Sequence, residues 1–93
     1  MDERLDEARR SINAIDRQMA ELFEERMKAV SMVAAYKMSH DMPVFDAARE
    51  KEVIERNLSY IQNEDIRSYY KEFLQNTMEV SKEYQKQLIK ENN

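Results

Sequence analysis

Residues 5–39 read LDEARRSINAIDRQMAELFEERMKAVSMVAAYKMS, and this stretch decides the fold. Its first apolar residues follow alternating steps of three and four, at positions 5, 8, 12, 15, 19 and 22. This spacing is typical of a helix that packs along a second helix. No Gly or Pro occurs before Pro43, so the helix is predicted to continue to about Ser39. It would then have roughly 37 residues and a length of about 55 Å.

A helix of that length is too long for the core of a single chain of 93 residues. The helices predicted after it are too short to cover it. The hydrophobic core of a single chain of 93 residues would also be marginal, and assembly with a second chain would relieve that. We therefore predict a homodimer in which the long helices of two chains pair.

The long helix is interrupted by SHDMPVF at residues 39–45. Proline disfavours a helical conformation in the residue before it and has no N–H to donate inside a helix. Asp46 follows at a position that suits the N-cap of a second helix. That helix is predicted to end at about Tyr60.

A third helix is predicted to begin after a cap at Asn63 or Asp65 and to reach about Lys90. Its inward stripe is predicted to contain Ile66, Tyr70, Phe73, Leu74, Thr77, Met78, Ser81, Tyr84, Gln85 and Leu88. The sequence therefore predicts an all-α fold with one very long helix and two shorter ones, in a single domain over residues 1–93.

The composition argues against several classes of function. The chain has no Cys, which removes disulfides, thiolate metal sites and Cys nucleophiles, and no Gly, which removes Gly-rich nucleotide-binding loops. A net charge of -4 argues against a large nucleic-acid surface. His40 is the only histidine and has no accompanying metal-ligand spacing, so no metal site is expected. No apolar run of about 18 residues occurs, and a soluble, cytoplasmic protein without membrane contact is expected.

Polar residues interrupt the stripe of the long helix where aliphatic residues are expected. Arg26 continues the register from Leu22, and Lys37 lies within roughly 20° of Arg26 on the same face. A buried arginine is costly unless it pairs with a carboxylate or waits for an anionic ligand, so these two cations could converge on one small anion. Arg9 is on a different face, about 25 Å away along the axis, and could reach that anion only from the other chain of an antiparallel dimer.

Each of these residues also has a purely structural explanation. An arginine in the stripe can set helix register, a lysine near a helix C-terminus interacts with the helix dipole, and Asp46 can be only a cap. Arg49 and Glu50 can be solvated charges. The last helix adds a polar line within its apolar stripe, formed by Thr77, Ser81 and Gln85. Together these groups point inward from three helices and favour a polar pocket.

Four motifs complete the pattern: RRSINAID at 9–16, EERMKAVSMVAAYK at 24–37, PVFDAARE at 43–50 and EVSKEYQ at 79–85. In order, spacing and polar identity, the sequence resembles the all-helical class of chorismate mutases over nearly the whole chain. The resemblance implies an intertwined dimer of three-helix chains with two identical active sites, each using one residue from the partner chain.

The resemblance also implies a role for each polar residue. Arg9 matches the arginine contributed by the partner chain, Arg26 the arginine that binds a substrate carboxylate, and Lys37 the lysine that contacts a carboxylate and the ether oxygen. Ser81 matches a hydroxyl on the carboxylate side, and Gln85 the amide that faces the ether oxygen.

Asp46, Arg49 and Glu50 match the group around the substrate hydroxyl, with Glu50 as its direct acceptor. The implied activity is the rearrangement of chorismate to prephenate in aromatic amino acid biosynthesis, with no cofactor. This concerted reaction moves no proton, so it needs no base. It needs cationic clamps on two carboxylates to hold the reactive geometry, and fixed donors at the ether oxygen, here Lys37 and Gln85.

Other interpretations remain open at this point. Related helical folds hold similar dianions, so the chain could be an isochorismate pyruvate lyase or an aminodeoxychorismate mutase. It could also be a non-enzymatic helical dimerisation module whose inward charges only set register. Phe45 departs from the family pattern, since members often carry a charged residue there, and it could alter the rim of the site. The chain ends soon after the third helix, so no attached dehydratase, dehydrogenase or regulatory domain is expected.

Overall fold

A computed structural model describes residues 2–92, so Met1 and Asn93 of the predicted domain lie outside the described residues. Within that range the chain forms three helices and no strand. The helices are α1 (Glu3–Ser39), α2 (Ala47–Leu58) and α3 (Glu64–Glu91). The predicted all-α fold is confirmed, and α1 has the predicted 37 residues.

The helix starts follow local capping chemistry. The Asp46 carboxylate accepts a hydrogen bond of 3.0 Å from the backbone N–H of Arg49, which confirms Asp46 as the N-cap of α2. Of the two candidate caps for α3, Asn63 is the N-cap, and its side-chain oxygen accepts from the N–H of Asp65 at 3.0 Å. Each cap satisfies one of the N–H groups that the first turn leaves without a partner.

α1 ends at Ser39, and the chain turns out of the helix at Asp41, two residues before Pro43. Asp41 adopts a φ of 51°, in the left-handed region, and the N–H of Met42 donates to the carbonyl oxygen of Lys37 at 2.8 Å. This is the bonding pattern of a Schellman cap, which turns the chain out of the helix. Pro43 then prevents the helix from resuming. The second helix ends at Leu58, two residues before the predicted Tyr60.

α3 is the helix that holds the chain together. It packs against both α1 and α2, whereas within residues 2–92 no Cα atom of α1 lies within 8 Å of a Cα atom of α2. The chain extends 56 × 27 × 14 Å along its principal axes. Because one helix with its side chains is about 10–12 Å across, the three helices lie in a single layer. The radius of gyration of 16.9 Å exceeds the value of about 12 Å expected for a compact chain of this length.

Such a layer buries few side chains. The buried apolar residues are Val30, Ala34, Leu74 and Met78. The first half of the α1 stripe stays on the surface, and Ile12 for example is 55% exposed. In α3, three residues that were predicted to face inward are exposed, namely Ile66, Phe73 and Tyr84, because no helix of the same chain covers them. Among the described residues no helix has both the length and the apolar character needed to cross a membrane.

Candidate active site

A cavity of ≈300 Å³ lies where the three helices and the segment before α2 meet. Its wall includes seven of the eight residues that the sequence predicted for a site: Arg26, Lys37, Asp46, Arg49, Glu50, Ser81 and Gln85. The apolar part of the wall comes from small and aliphatic side chains such as Val30 and Met78. Arg9, the eighth residue, is exposed on α1 and does not line this cavity. The fold therefore brings together in one chain every predicted site residue except the one assigned to the partner.

Arg26 was expected to be buried and either to pair with a carboxylate or to wait for an anionic ligand, but within this chain the residue is exposed. Its guanidinium forms no ion pair within residues 2–92; instead Nη1 donates a hydrogen bond to Oγ of Ser81. Ser81 is buried, and its hydroxyl donates in turn to the carbonyl oxygen of Thr77 at 2.9 Å. The hydroxyl orients the guanidinium without neutralising it, so a full positive charge faces the cavity.

Lys37 supplies a second cation to the same wall. It lies in the last turn of α1, and its Nζ donates to the carbonyl oxygen of Val44 at 2.7 Å. This bond ties the end of α1 to the segment that leads into α2. A neutral carbonyl does not offset the ammonium charge, and two of its three N–H groups remain for a ligand.

The residues at the start of α2 differ from one another in what they contact. Asp46 is occupied as the helix cap. The side chain of Arg49 is 57% exposed and its guanidinium pairs with Glu52 at 3.1 Å, so only part of this side chain belongs to the wall. The side chain of Glu50 is 24% exposed, and its carboxylate binds Nζ of Lys82 on α3, at 3.2 and 3.3 Å from its two oxygens.

Gln85 is the most telling residue of the wall. The residue is only 7% exposed, and its Oε1 atom is buried without a hydrogen-bond partner among the described residues. Leaving a buried polar atom unpartnered costs about 1–3 kcal/mol. A ligand in the cavity would relieve that cost, and a half-turn of the amide would present its N–H₂ group to an acceptor instead.

Thr77 belongs to a different feature. Its hydroxyl donates to the carbonyl oxygen of Phe73 at 2.8 Å, and its side chain lines a neighbouring groove of ≈610 Å³. The groove is mostly apolar, with Met19, Leu22, Phe23, Phe73 and Leu74 among its lining residues. Thr77 therefore does not extend the polar line of Ser81 and Gln85 into the cavity. Arg26 and Val53 line both features, so the groove and the cavity are neighbours.

Lys82 contacts Glu50, one of the predicted site residues, but its position in the sequence did not predict this contact. Its hydrogen bond to Glu79 raises the pKa of Lys82; the hydrogen bond and charge of Glu50 add to the rise, while burial opposes it. The same hydrogen bond from Lys82 lowers the pKa of Glu79. Nothing in the spacing of Lys82 distinguishes it from an exposed lysine such as Lys86, since both lie outside the apolar stripe of α3. Its role depends on where α2 lies.

Among residues 2–92 no cluster of three or more His, Asp or Glu side chains could hold a metal ion. The cavity instead presents two cations without a carboxylate partner, a carboxylate held by a lysine, a buried hydroxyl and a buried amide. Such a site suits a small dianion that also carries a hydroxyl group.

Comparison with known proteins gives one finding. The model of the family described as chorismate mutase type II matches residues 8–86, which is most of the chain. No match was found among curated proteins or among solved structures.

Proposed function

The chain belongs to the chorismate mutase type II family, and from this premise we propose that it catalyses the Claisen rearrangement of chorismate to prephenate. One observation carries the proposal: Arg26 and Lys37, neither of them ion-paired within residues 2–92, line the same cavity as the unpartnered amide oxygen of Gln85. Chorismate is a dianion with an ether oxygen and a ring hydroxyl. Each of these groups has a complementary partner in the wall.

The first task of the site is to hold the substrate in a reactive conformation. In this reaction a carbon–oxygen bond breaks as a carbon–carbon bond forms, which requires the enolpyruvyl side chain to lie over the ring. Arg26 binds one carboxylate, oriented by its bond to Ser81, and Lys37 contacts a carboxylate as well. Fixing both ends of the substrate in a near-attack geometry lowers the barrier without any nucleophile or base.

The second task is to stabilise the negative charge that grows on the ether oxygen. Lys37 keeps two N–H groups free of its bond to Val44, and Gln85 can turn its N–H₂ group toward the same oxygen. Fixed donors of this kind contribute about 10²- to 10³-fold each, or roughly 2.7–4 kcal/mol. Because the amide is neutral, this contribution needs no titrating group.

The third group that needs a partner is the ring hydroxyl. The carboxylate of Glu50, on the side of the cavity formed by α2, accepts a hydrogen bond from this hydroxyl. Asp46 supports this indirectly, because its cap fixes the first turn of α2, where Arg49 and Glu50 lie.

The remaining cation is Arg9, which comes from a second copy of the chain in a homodimer with two shared sites. A single layer 14 Å thick with an exposed apolar stripe on α1 needs a covering layer. The groove beside the cavity is apolar, as an α1 stripe from another chain requires. Arg9 borders that stripe, three residues before Ile12, and in an antiparallel dimer a partner helix seated in the groove could reach Arg26 with its Arg9.

The decisive experiment incubates the purified protein with chorismate, isochorismate and aminodeoxychorismate in turn. We expect decay of the chorismate absorbance and identification of prephenate as the product. Formation of pyruvate from isochorismate, with chorismate unchanged, would instead assign a lyase. Rearrangement of aminodeoxychorismate alone would assign a mutase for the amino analogue.

Three variants separate an enzyme from a dimerisation module: Arg26→Leu, Lys37→Met and Gln85→Leu. If these polar groups only set helix register, the variants keep their function and gain stability, because replacing buried polar groups with apolar ones is often stabilising. The proposed enzyme instead yields stable dimers that do not convert chorismate.

A further inference from the structure

Lys82 lies at the centre of a charge cluster beside the cavity. Its Nζ is 3.2 Å from Oε1 of Glu50, 2.7 Å from Oε1 of Glu79 and 4.8 Å from the centre of the Phe45 ring. The side chain is only 15% exposed, although lysine is seldom withdrawn from water. The cluster joins three segments of the chain, namely the segment before α2, α2 itself and α3.

The position of α2 depends on few other interactions. α2 contains no buried residue, and within the described residues none of its Cα atoms lies within 8 Å of a Cα atom of α1. Among the hydrogen bonds and ion pairs of residues 2–92, the bonds between Lys82 and Glu50 are the ones that join α2 to α3. Glu79, the other carboxylate of the cluster, is 64% exposed and on the same helix as Lys82, so its pairing fixes nothing on α2.

The pairing also decides which cation Glu50 neutralises. Glu50 lines the same cavity as Arg26 and Lys37, and a free carboxylate there would be attracted to either of them. Lys82 approaches both oxygens of Glu50, and the remaining lone pairs of these oxygens can accept from a hydroxyl donor. Because Glu50 is paired with Lys82, the cations of the cavity stay available for an anionic ligand.

We infer that Lys82 is a positioning residue of this site: it fixes the Glu50 carboxylate in the cavity wall so that it accepts the ligand's hydroxyl and does not neutralise Arg26 or Lys37. The Phe45 ring covers the ammonium, and a cation–π contact of this kind favours Lys82 in the bound orientation. The identity of the ligand rests on the proposed function, whereas the placement of Glu50 and α2 does not.

The test is a double-mutant cycle with Lys82→Met and Glu50→Gln, read by kcat and KM for chorismate. We expect K82M to lower kcat/KM by about tenfold to 10²-fold, the size of effect that a misplaced group produces, mainly through KM. In the E50Q background the same substitution should add no further loss, because Lys82 acts through Glu50. The matched control is Lys86→Met on the same helix, where among residues 2–92 the lysine forms an ion pair with exposed Glu83 alone, and we expect no change.

Several outcomes would overturn the inference. Equal losses from K82M with and without Glu50 would mean that Lys82 only stabilises the fold, and no loss at all would mean that Glu50 needs no positioning. Lys82→Arg keeps the charge and should recover part of the activity; if it behaves like K82M, the charge on Lys82 is not what matters.

A second readout does not depend on turnover. Hydrogen exchange of the α2 backbone amides should be faster in K82M than in the parent, and unchanged in K86M. If the parent leaves chorismate unconverted, the proposed function fails while this measurement still decides whether Lys82 holds α2. Identical exchange in the parent and K82M would refute the positioning role.

Discussion

The guanidinium of Arg26 on α1 donates a hydrogen bond to the hydroxyl of Ser81 on α3, across a sequence separation of 55 residues. This bond joins the two longest helices at the wall of the cavity. It leaves the arginine charge without an ion-pair partner among residues 2–92, at the wall of the cavity.

Replacing Arg26 with alanine should therefore separate activity from stability. Ser81 keeps its bond to Thr77, so Arg26→Ala leaves no additional buried donor or acceptor unpaired among residues 2–92, and the free energy of unfolding should change by about 0.5 kcal/mol or less. Turnover of chorismate should fall by about 10²- to 10³-fold, because a cationic clamp is lost. Urea unfolding and the chorismate absorbance assay measure the two effects. A large loss of stability would show that Arg26 serves mainly the fold.

If the proposed homodimer shares its sites, two inactive chains should complement each other. Arg9→Ala and Arg26→Ala homodimers should each be inactive, but a mixed dimer keeps both arginines in one of its two sites. After full exchange of equal amounts, about one quarter of the sites should be active, since half of the dimers are mixed. Activity is measured after the subunits have exchanged, with exchange followed by labelled chains. No recovery in demonstrably mixed dimers would refute a site that uses Arg9 in trans.

The neutral amide of Gln85 predicts little change of turnover between about pH 6 and 8, because no acid must titrate for it to donate. His40, the only histidine, does not line the cavity. In Gln85→Glu the new carboxyl donates only when protonated, so activity should decline as the pH rises through its pKa. The pH profiles of kcat for the two proteins provide the comparison. A parent profile that falls steeply across this window, with the fold intact, would contradict the role of Gln85.

The exposed stripe of α1 predicts that a charge at its centre prevents assembly. Ile12→Lys should convert the proposed dimer to a monomer, because burying an unpaired ammonium in an apolar interface costs several kcal/mol. Light scattering measures the molar mass, and loss of chorismate turnover should accompany the dissociation. Asn13→Lys, with a lysine introduced about 100° around α1 from Ile12 and outside the stripe, is the control and should remain dimeric. An unchanged mass for I12K would place the interface elsewhere.

The Lys82 cluster predicts where stability depends on pH. The pKa of Lys82 is raised above its usual 10.5, chiefly by Glu79 and also by Glu50, so its contribution is fully present below that pH and is lost as the pH rises through the higher folded value. The pKa of Glu79 is lowered below its usual 4.5, so its contribution is present above that pH and is lost as the pH falls through the lower folded value.

Between pH 4.5 and pH 10.5, this cluster should therefore contribute no pH dependence to the stability measured by thermal unfolding. In K82M the decline above about pH 10.5 should be shallower than in the parent. The same decline in both proteins would assign the alkaline transition to other groups.

The sequence by itself determined the helices. The spacing of apolar residues, the Asp46 cap, the polar turn before α3 and the absence of Gly fixed their number and nearly all of their limits. These are interactions between residues about three to five positions apart, and a helix forms them wherever the rest of the chain lies. For the same reason, the placement of Arg26 and Lys37 on one face of α1 followed directly from the helical repeat.

Only the tertiary structure decided how the helices meet. It placed Thr77 in the apolar groove, away from Ser81 and Gln85, and it paired Glu50 with Lys82, which no spacing in the sequence distinguished. It also left Ile66, Phe73 and Tyr84 without cover. These outcomes depend on the rotation of each helix about its own axis, and that rotation is set by the packing of side chains far apart in the sequence. The periodicity of a single helix does not contain that information.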